Sequence, residues 1–278
     1  GATHRAIEWL ALFVGSNAMT TTVTNEWPAT PSFRLEGRRA LVTGAGRGIG
    51  ACAALALAGA GAHVTLVARS SDELEQVLAV VRSRGGDGRV LPLDVTDSRA
   101  VARSVEEAGP FDILVNSAGT NRPALITETR DDDLDAVIAL NVKAAFYLAR
   151  EVAKGMMRAD RRGSIITISS QMGHVGGPRR TVYCATKHAV EGLTKALAWE
   201  LGAHGIRVNT VCPTFILTAM TRDMFSDAGF HEFVRSRIAL GRLGRLEDIM
   251  GAVVFLASEA SALVTGSALV VDGGWTAA

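Results

Sequence analysis

The chain has 278 residues, of which 48% are hydrophobic and 21% are charged, and its formal net charge is +1. This composition supplies enough apolar residues for one large core and lacks the signature of disorder. A nearly neutral chain gives no reason to expect a nucleic-acid or membrane-surface partner. Three scattered cysteines (Cys52, Cys184 and Cys212) show no metal-ligand spacing and no even count. They predict no metal site and no disulfide framework, and they favour a reducing cytoplasm.

The N-terminal segment has features of neither a signal peptide nor a membrane span. Residues 1–18 contain a brief apolar patch that includes Glu8, without a basic start or a long apolar run. We expect 1–18 to be a leader added for expression, with Met19 as the natural start, and 19–34 to be a flexible arm rich in Thr and Pro. The longest small-apolar run, 51–62, is too short to cross a bilayer. Residues 35–278 are then predicted to form one domain.

From Arg38 onward, short β-branched runs alternate with longer stretches of helical spacing. The candidate strands are 39–44, 63–69, 89–95, 112–119, 163–170, 206–213 and 267–274. They are nearly continuously apolar, which is typical of parallel strands covered on both faces. The stretches between them, such as 131–157 and 188–205, have the helical spacing. The pattern predicts an α/β fold, a single-domain Rossmann-like doubly wound sheet of seven parallel strands.

A glycine-rich loop, TGAGRGIG (43–50), follows the first strand and opens a helix near Ala51. Gly44, Gly48 and Gly50 let the backbone turn tightly and approach a pyrophosphate, which the helix N-terminus would bind. Such a string alone is moderate support, but its place between a strand and a helix strengthens the prediction.

A tyrosine and a lysine, Tyr183 and Lys187, stand four residues apart in a helical pattern, and therefore on one helix face. In isolation this spacing is most often a surface helix. In order, however, the chain contains TGxxxGxG, NSAG (116–119), Ser170 and then Tyr183 and Lys187. This order resembles the short-chain dehydrogenase/reductase family over about 33–278. The resemblance implies a Rossmann fold and hydride transfer between a nicotinamide and a carbonyl or secondary alcohol.

The end of the second strand indicates which nicotinamide nucleotide is bound. NAD-preferring relatives have an acidic residue there, whereas this chain has Ala68 followed by Arg69, and Arg47 lies in the glycine loop. Two arginines favour the 2′-phosphate of NADP(H), although both could be solvated surface residues. The resemblance implies these further cofactor contacts: Ile49, Asp94, Val95, Asn116, Ala118, Gly119, Pro213, Ile216 and Thr218. Ser117 and Thr214 depart from the family pattern, and Thr214 replaces a glycine.

Four residues are predicted to carry the chemistry. Tyr183 is the expected general acid/base, and an adjacent Lys187 ammonium together with the positive nicotinamide of NADP⁺ would favour the phenolate and lower its pKa toward neutrality. Lys187 would also hold the nicotinamide ribose. The resemblance assigns Ser170 to the substrate oxygen and Asn141 to a proton relay from the lysine; a mid-helix asparagine is otherwise more often a packing residue.

The substrate is expected to contact 171–182 and a lid within 218–244. Arg179, Arg180 and His174 are candidate contacts for an anionic substrate, although solvated loop charges are the default interpretation. The best hypothesis is an activity like that of 3-oxoacyl reductases, and the alternative is a sugar-acid or polyol dehydrogenase of the gluconate 5-dehydrogenase type. Docking of an acyl-carrier protein would use a basic pair, of which Arg161 is one member and His204 a weak second.

Two other kinds of function are compatible with a nucleotide-binding fold: a non-catalytic NADP-binding regulator, and a structural oligomer stabilised by nucleotide. Retention of Ser170, Tyr183 and Lys187 favours the enzyme. The resemblance also implies a homotetramer, assembled through long helices and the C-terminal strand.

Overall fold

Seven parallel strands form the centre of the fold. In the computed structural model they are β1 (Arg39–Thr43), β2 (His63–Ala68), β3 (Asp87–Pro92), β4 (Ile113–Asn116), β5 (Gly163–Ile168), β6 (Ile206–Pro213) and β7 (Ala268–Val271). Their order in the sheet is β3-β2-β1-β4-β5-β6-β7, and every neighbouring pair is parallel. The predicted seven-stranded parallel Rossmann-like sheet is therefore confirmed.

Helices connect the strands. Those described are α1 (Gly48–Gly59), α2 (Ser71–Ser83), α3 (Ser98–Ala108), α4 (Asp131–Ile138), α5 (Ala144–Arg158), α6 (Thr181–Leu201), α7 (Ala228–Arg237) and α8 (Leu246–Ala257). A π-helical turn, Ala139–Lys143, joins α4 to α5. The sequence pattern predicts one regular helix over this stretch, and the π turn interrupts it at Asn141.

The structure describes residues 27–218, 221 and 223–277. The predictions for 1–18 and for 19–26 lie outside these residues. Pro31–Ala278 forms one compact unit, and the described part of the other unit, 27–30, contains no helix or strand. None of the described helices is long and apolar enough to cross a membrane.

Apolar side chains cover both faces of the sheet. Successive strand residues point to opposite faces, so Leu41 and Val42 of β1 enter different cores. Val42 packs in the core that includes Leu57 of α1, and Leu41 in the core that includes Leu148 of α5. Burial on both faces explains why the strands are apolar throughout.

The strand order reverses between β1 and β4, since β2 and β3 lie on one side of β1 and β4 to β7 on the other. In open α/β sheets, the crevice at the carboxyl ends of such a strand pair is where ligands bind. Both the glycine-rich loop after β1 and the NSAG segment at the end of β4 reach this crevice.

Candidate active site

The glycine-rich loop packs against the segment that follows β4. Gly44 has a left-handed φ of 64°, and a Cβ at this position would lie 3.0 Å from the backbone of Ala118. A Cβ on Gly50 would lie 2.2 Å from the Gly44 carbonyl oxygen. The Thr43 hydroxyl accepts hydrogen bonds of 3.1 Å from the amides of Ser117 and Ala118. Only glycine permits this close approach.

Glycines also line the crevice beside the loop, where the nucleotide is expected. Gly48 has φ 58°, and its missing Cβ would lie 3.9 Å from the Thr218 methyl group. A Cβ on Gly119 would lie 3.3 Å from Asn141 Oδ1 and 4.0 Å from Lys187 Nζ. Within the described chain, the buried Oδ1 of Asn116 has no hydrogen-bond partner. These positions and the N-terminus of α1 form a cradle that a dinucleotide would fill.

The two predicted phosphate-binding arginines differ in their surroundings. Arg69 is exposed and has no hydrogen-bond or ion-pair partner among the described residues, whereas Arg47 pairs with Glu73 at 3.2 Å. A Cβ on Gly46 would lie 2.8 Å from a Glu73 carboxylate oxygen, so this carboxylate lies against the glycine loop. Sequence reasoning missed Glu73. Its only signal is its position one turn into α2, after a Ser70 cap.

Asp94 follows β3, near Arg69. Its carboxylate accepts hydrogen bonds from the backbone amide and the hydroxyl of Thr96, at 2.9 and 2.7 Å. These two bonds lower the pKa of Asp94, and the charge of Arg69 lowers it further. Val95, the next residue, is buried. Asp94 is therefore a fixed negative group at the edge of the nucleotide cradle.

Tyr183 and Lys187 lie on one face of α6, as the spacing predicts. Lys187 is only 7% exposed, and its ammonium nitrogen donates a 2.8 Å hydrogen bond to the Ile168 carbonyl at the end of β5. The same nitrogen lies 5.4 Å from the centre of the Tyr183 ring. The pair is thus assembled against the carboxyl end of the sheet.

Burial changes the acidity of both groups. It lowers the pKa of Lys187 to about 8, although the nearby Cys212 and Glu191 oppose this shift. It raises the pKa of Tyr183, against the opposing effects of a hydrogen bond to Ser170 and the charge of Arg180. The sequence predicts that Lys187 and the positive nicotinamide of NADP⁺ together lower the tyrosine pKa. Burial of the phenol works against them, because desolvation disfavours the phenolate.

Ser170 and Asn141 hold backbone segments around this pair. The Ser170 hydroxyl caps the short turn Gln171–Gly173 by accepting a 3.1 Å bond from the Met172 amide. The Asn141 side chain accepts a 2.8 Å bond from the Thr120 amide and donates 2.9 Å to the Thr120 carbonyl. It also donates 3.1 Å to the hydroxyl of Thr186, the residue before Lys187. π turns recur at functional sites, and here the turn presents Asn141 to the loop after β4.

The segment after β6 accommodates the departure at Thr214. Among the described residues other than glycine, left-handed φ values occur only at Asp160 and Arg179, so Thr214 does not need a glycine's freedom. Its amide donates a 3.2 Å bond to the Val271 carbonyl. Pro213 ends β6, and Ile216 is buried and bridges to Gly244. Thr218 then reaches the glycine loop.

The three residues predicted to contact an anionic substrate lie in different environments. Arg180 is half-buried, acts electrostatically on Tyr183 and has no carboxylate partner within the described part of the chain. Burial lowers the pKa of Arg180. Arg179 is exposed, with a left-handed φ of 59°. His174 instead turns Nε2 toward the Cys212 thiol, at 3.3 Å.

The predicted lid is only partly described. Ala219, Met220 and Arg222 lie outside the described residues. Phe225 and Phe230 pack with Phe215, at ring-centre distances of 6.0 and 5.9 Å, whereas Phe233 is 46% exposed. The first two therefore pack in a small core of their own.

A glycine-rich loop at a sheet switch point, beside a half-buried tyrosine and a buried lysine, defines a Rossmann-type dinucleotide-dependent oxidoreductase. A family model described as enoyl-(acyl carrier protein) reductase matches residues 44–276. The chain belongs to the short-chain dehydrogenase/reductase family, as its motifs predict.

Relatives of this family include enzymes with different substrates. Over 248 residues the chain is 39% identical to gluconate 5-dehydrogenase of Gluconobacter oxydans, covering 88% of this chain and 96% of that one. Over 247 residues it is 41% identical to the 3-oxoacyl-[acyl-carrier-protein] reductase of Thermotoga maritima, covering 87% and 98%. The structure of a gluconate 5-dehydrogenase from Burkholderia cenocepacia, in complex with NADP and tartrate, matches with a TM-score of 0.86 and 36% identity, covering 90% and 100%.

The chain is an NADP(H)-dependent oxidoreductase that acts on CH–OH groups. The cradle described above fits this nucleotide, and Arg69 is free to meet its 2′-phosphate. When bound, NADP(H) supplies the hydride donor or acceptor. The residues around the cradle supply the binding, orientation and proton transfer.

Proposed function

We propose that this enzyme interconverts a small keto acid of the sugar-acid type and the corresponding hydroxy acid, with the substrate carboxylate bound by Arg180. The observation that carries this proposal is the environment of Arg180. It is the half-buried guanidinium beside Tyr183, and no described residue neutralises it. An arginine binds a carboxylate through two parallel charge-assisted hydrogen bonds.

The proposed proton transfer uses Tyr183. In the direction of reduction, Tyr183 gives its proton to the carbonyl oxygen, and in oxidation it accepts the proton of the alcohol. Its raised pKa keeps the phenol protonated at neutral pH in the free enzyme, which suits the reductive direction. Ser170 hydrogen-bonds the same oxygen and stabilises the charge that develops there.

Lys187 and Asn141 are proposed to support this step. Lys187 binds the nicotinamide ribose and places a positive charge near the phenol, 5.4 Å from the ring centre. Asn141 holds Thr120 and Thr186, and its position beside Lys187 suits a water-mediated relay that returns the proton to Tyr183.

A specific contact weakens the hypothesis of a carrier-linked 3-oxoacyl substrate. Arg161, the stronger member of the predicted docking pair, donates hydrogen bonds of 2.9 and 3.0 Å to the two oxygens of the buried Asp112 carboxylate. A guanidinium held in this way offers little to an acidic carrier protein. His204, the other member, is exposed at the end of α6. The 41% identity to a 3-oxoacyl reductase keeps this substrate as the second candidate.

The test is NADPH oxidation with a panel of carbonyl compounds: 5-ketogluconate, a neutral ketose of equal length, a 3-oxoacyl thioester and a simple ketone. We expect 5-ketogluconate to be reduced with the highest kcat/KM. Arg180→Gln should raise the KM for the keto acid about 10- to 100-fold, and the neutral ketose should be little affected. Arg179→Gln is the matched control, because Arg179 is exposed. Turnover confined to the thioester would replace this proposal with the second candidate.

We also propose a homotetramer. Large apolar side chains are exposed on or beside the elements that would meet, namely Phe146 of α5, Trp199 of α6, Leu263 in the turn before β7, and Val270 of β7. Trp199 is 88% exposed and Leu263 is 99% exposed, and the proposed assembly would cover both. A monomeric mass in light scattering at micromolar concentration would contradict this assembly.

A further inference from the structure

Three metal-ligand side chains converge one helical turn from Lys187. His174 lies in the loop after β5, Glu191 on α6, and Cys212 on β6. Glu191 and Cys212 are 5% and 0% exposed, whereas the His174 side chain is 31% exposed. We call these three residues the His–Glu–Cys cluster. Sequence reasoning predicts no metal site, because its members are separated by 17 and 21 positions and only the fold brings them together.

The distances within the cluster suit ligands of one ion. His174 Nε2 lies 3.3 Å from Cys212 Sγ and 3.8 Å from Glu191 Oε1, and Cys212 Sγ lies 3.3 Å from Glu191 Oε1. Zinc takes tetrahedral N, O and S ligands at about 2.0–2.3 Å, which places neighbouring ligand atoms about 3.3–3.6 Å apart. The histidine–carboxylate separation is too long for a hydrogen bond but close to this spacing.

A further buried polar atom faces the same place. Ser169 is 3% exposed, and its hydroxyl lies beside the Cys212 thiol, on whose pKa a hydrogen bond with Ser169 acts. A Cβ on Gly173 would lie 3.0 Å from this hydroxyl and 3.2 Å from Glu191 Cγ, so both residues pack against Gly173. The Ser169 oxygen is therefore a fourth polar atom close to the three side chains of the cluster.

The cluster contains a buried carboxylate. Glu191 accepts hydrogen bonds from Thr210 (3.0 Å) and Cys212 (3.3 Å), and no lysine or arginine among the described residues forms an ion pair with it. The Lys187 ammonium acts on it electrostatically without such a contact. A cation bound directly to Glu191 would compensate this buried charge further.

We propose that His174, Glu191 and Cys212 bind one zinc ion, with the Ser169 hydroxyl or a water as the fourth ligand. Binding exchanges the Cys212 thiol proton for the Zn–S bond and releases that proton to solvent. Zn²⁺, one thiolate and one carboxylate sum to zero, so the site adds no net charge beside Lys187. The partly exposed His174 provides the entry path.

The role that follows is structural. The ion would fasten the loop after β5, which carries Ser170 at its start and Arg180 at its end, to α6 and β6. Its ligands come from three elements that all border the proposed substrate position. The ion has no contact with the reacting atoms, and this inference does not depend on which carbonyl compound is reduced.

The test uses Co²⁺ as a probe of the full-length protein, treated with chelator and kept anaerobic. We expect one equivalent of Co²⁺ to bind, with a thiolate-to-cobalt charge-transfer band and the intense visible bands of a tetrahedral ion. One equivalent of Zn²⁺ should abolish both. Metal analysis of the protein as purified should find up to one zinc per chain.

Two ligand variants and two matched controls make the result specific. Cys212→Ser should abolish the charge-transfer band, and His174→Ala should weaken Co²⁺ binding by at least about 100-fold. Cys184→Ser and His188→Ala should leave both unchanged, since among the described residues His188 hydrogen-bonds to the Cys184 carbonyl and to no member of the cluster. Because His174 is partly exposed, its variant remains informative if Cys212→Ser does not fold.

Any of three outcomes would contradict the proposed zinc site. The first is wild-type protein with no thiolate band at stoichiometric Co²⁺. The second is a band that survives Cys212→Ser or is lost in Cys184→Ser. The third is His174→Ala protein with unchanged affinity. Each would leave the His–Glu–Cys cluster as a hydrogen-bonded group without a metal.

Discussion

The two basic regions of the active site differ in their contact with water. At the nucleotide end, Arg47 and Arg69 are exposed, and Arg47 already has a carboxylate partner in Glu73. At the catalytic end, Lys187 is 7% exposed, and within the described part of the chain its ammonium hydrogen-bonds to one backbone carbonyl. Both regions are positively charged, and in the second region burial lowers the pKa of the lysine to about 8.

This difference in exposure suits the arginines to binding the nucleotide and the lysine to proton transfer. Exposed guanidinium groups keep their charge at every relevant pH and suit a phosphate. A buried ammonium is held in its charged form only by its surroundings, so it is sensitive to pH and to what binds beside it. The four predictions below test this division, from the largest expected effect to the smallest.

Replacing Tyr183 by Phe tests the catalytic end most directly. Removal of a general acid/base is expected to lower kcat by about 10²–10⁴, while NADPH affinity changes little. Steady-state turnover and fluorescence titration with NADPH measure the two effects. Near-normal turnover in Tyr183→Phe would remove this residue from the proposed mechanism.

The lowered pKa of Lys187 predicts a pH dependence for kcat/KM measured against NADPH, which reports on groups of the free enzyme. Below pH about 8 the ammonium is present and kcat/KM should be constant, and above it the charge is lost and kcat/KM should fall. The limiting slope is about tenfold per pH unit for one proton. Lys187→Arg is the control, since arginine keeps its charge and should lose this alkaline limb. An identical limb in both proteins would assign it to another group.

A substitution at an exposed arginine is expected to change nucleotide affinity and to leave kcat unchanged. Arg69→Ala should weaken NADPH binding about 10- to 100-fold, because a charge-assisted hydrogen bond to the 2′-phosphate is lost. NADH, which lacks this phosphate, should be nearly unaffected, and kcat at saturating NADPH should be unchanged. The ratio of the two dissociation constants gives the result. Equal losses for both nucleotides would mean that Arg69 does not meet the phosphate.

The smallest effect is expected at Glu73, whose carboxylate competes with the phosphate for Arg47. Glu73→Gln keeps the shape, removes the charge and should improve NADPH binding about two- to fivefold, the range of an exposed ion pair. The gain should fall as salt rises, because exposed charges are screened. Glu75→Gln, on the same helix, is the control. Weaker NADPH binding in Glu73→Gln would show that this carboxylate assists the nucleotide instead.

Motifs in the sequence located much of this site because they are local. The glycine loop needs small residues at fixed spacing, and the four-residue interval of Tyr183 and Lys187 places them on one helix face wherever the helix packs. Apolar strands alternating with helices likewise predict a parallel sheet. These inferences require only backbone geometry within one or two elements.

Contacts between segments that are far apart in the chain could not be predicted from the sequence. Glu73 reaches Arg47 across 26 positions, and Arg161 reaches Asp112 across 49. The desolvation that raises the pKa of Tyr183 was also not foreseen, because it depends on the sheet and loops that cover the phenol. The His–Glu–Cys cluster gave no signal at all in the chain.

The sequence by itself determined the strand and helix order, the nucleotide loop, the family and the reactive pair, since each rests on local spacing or on an ordered set of motifs. The tertiary structure decided which charges are neutralised, which are buried and which side chains from separate elements share one gap. The physical reason is that burial and pairing are properties of a packed environment, and that environment exists only once the strands and helices are in place.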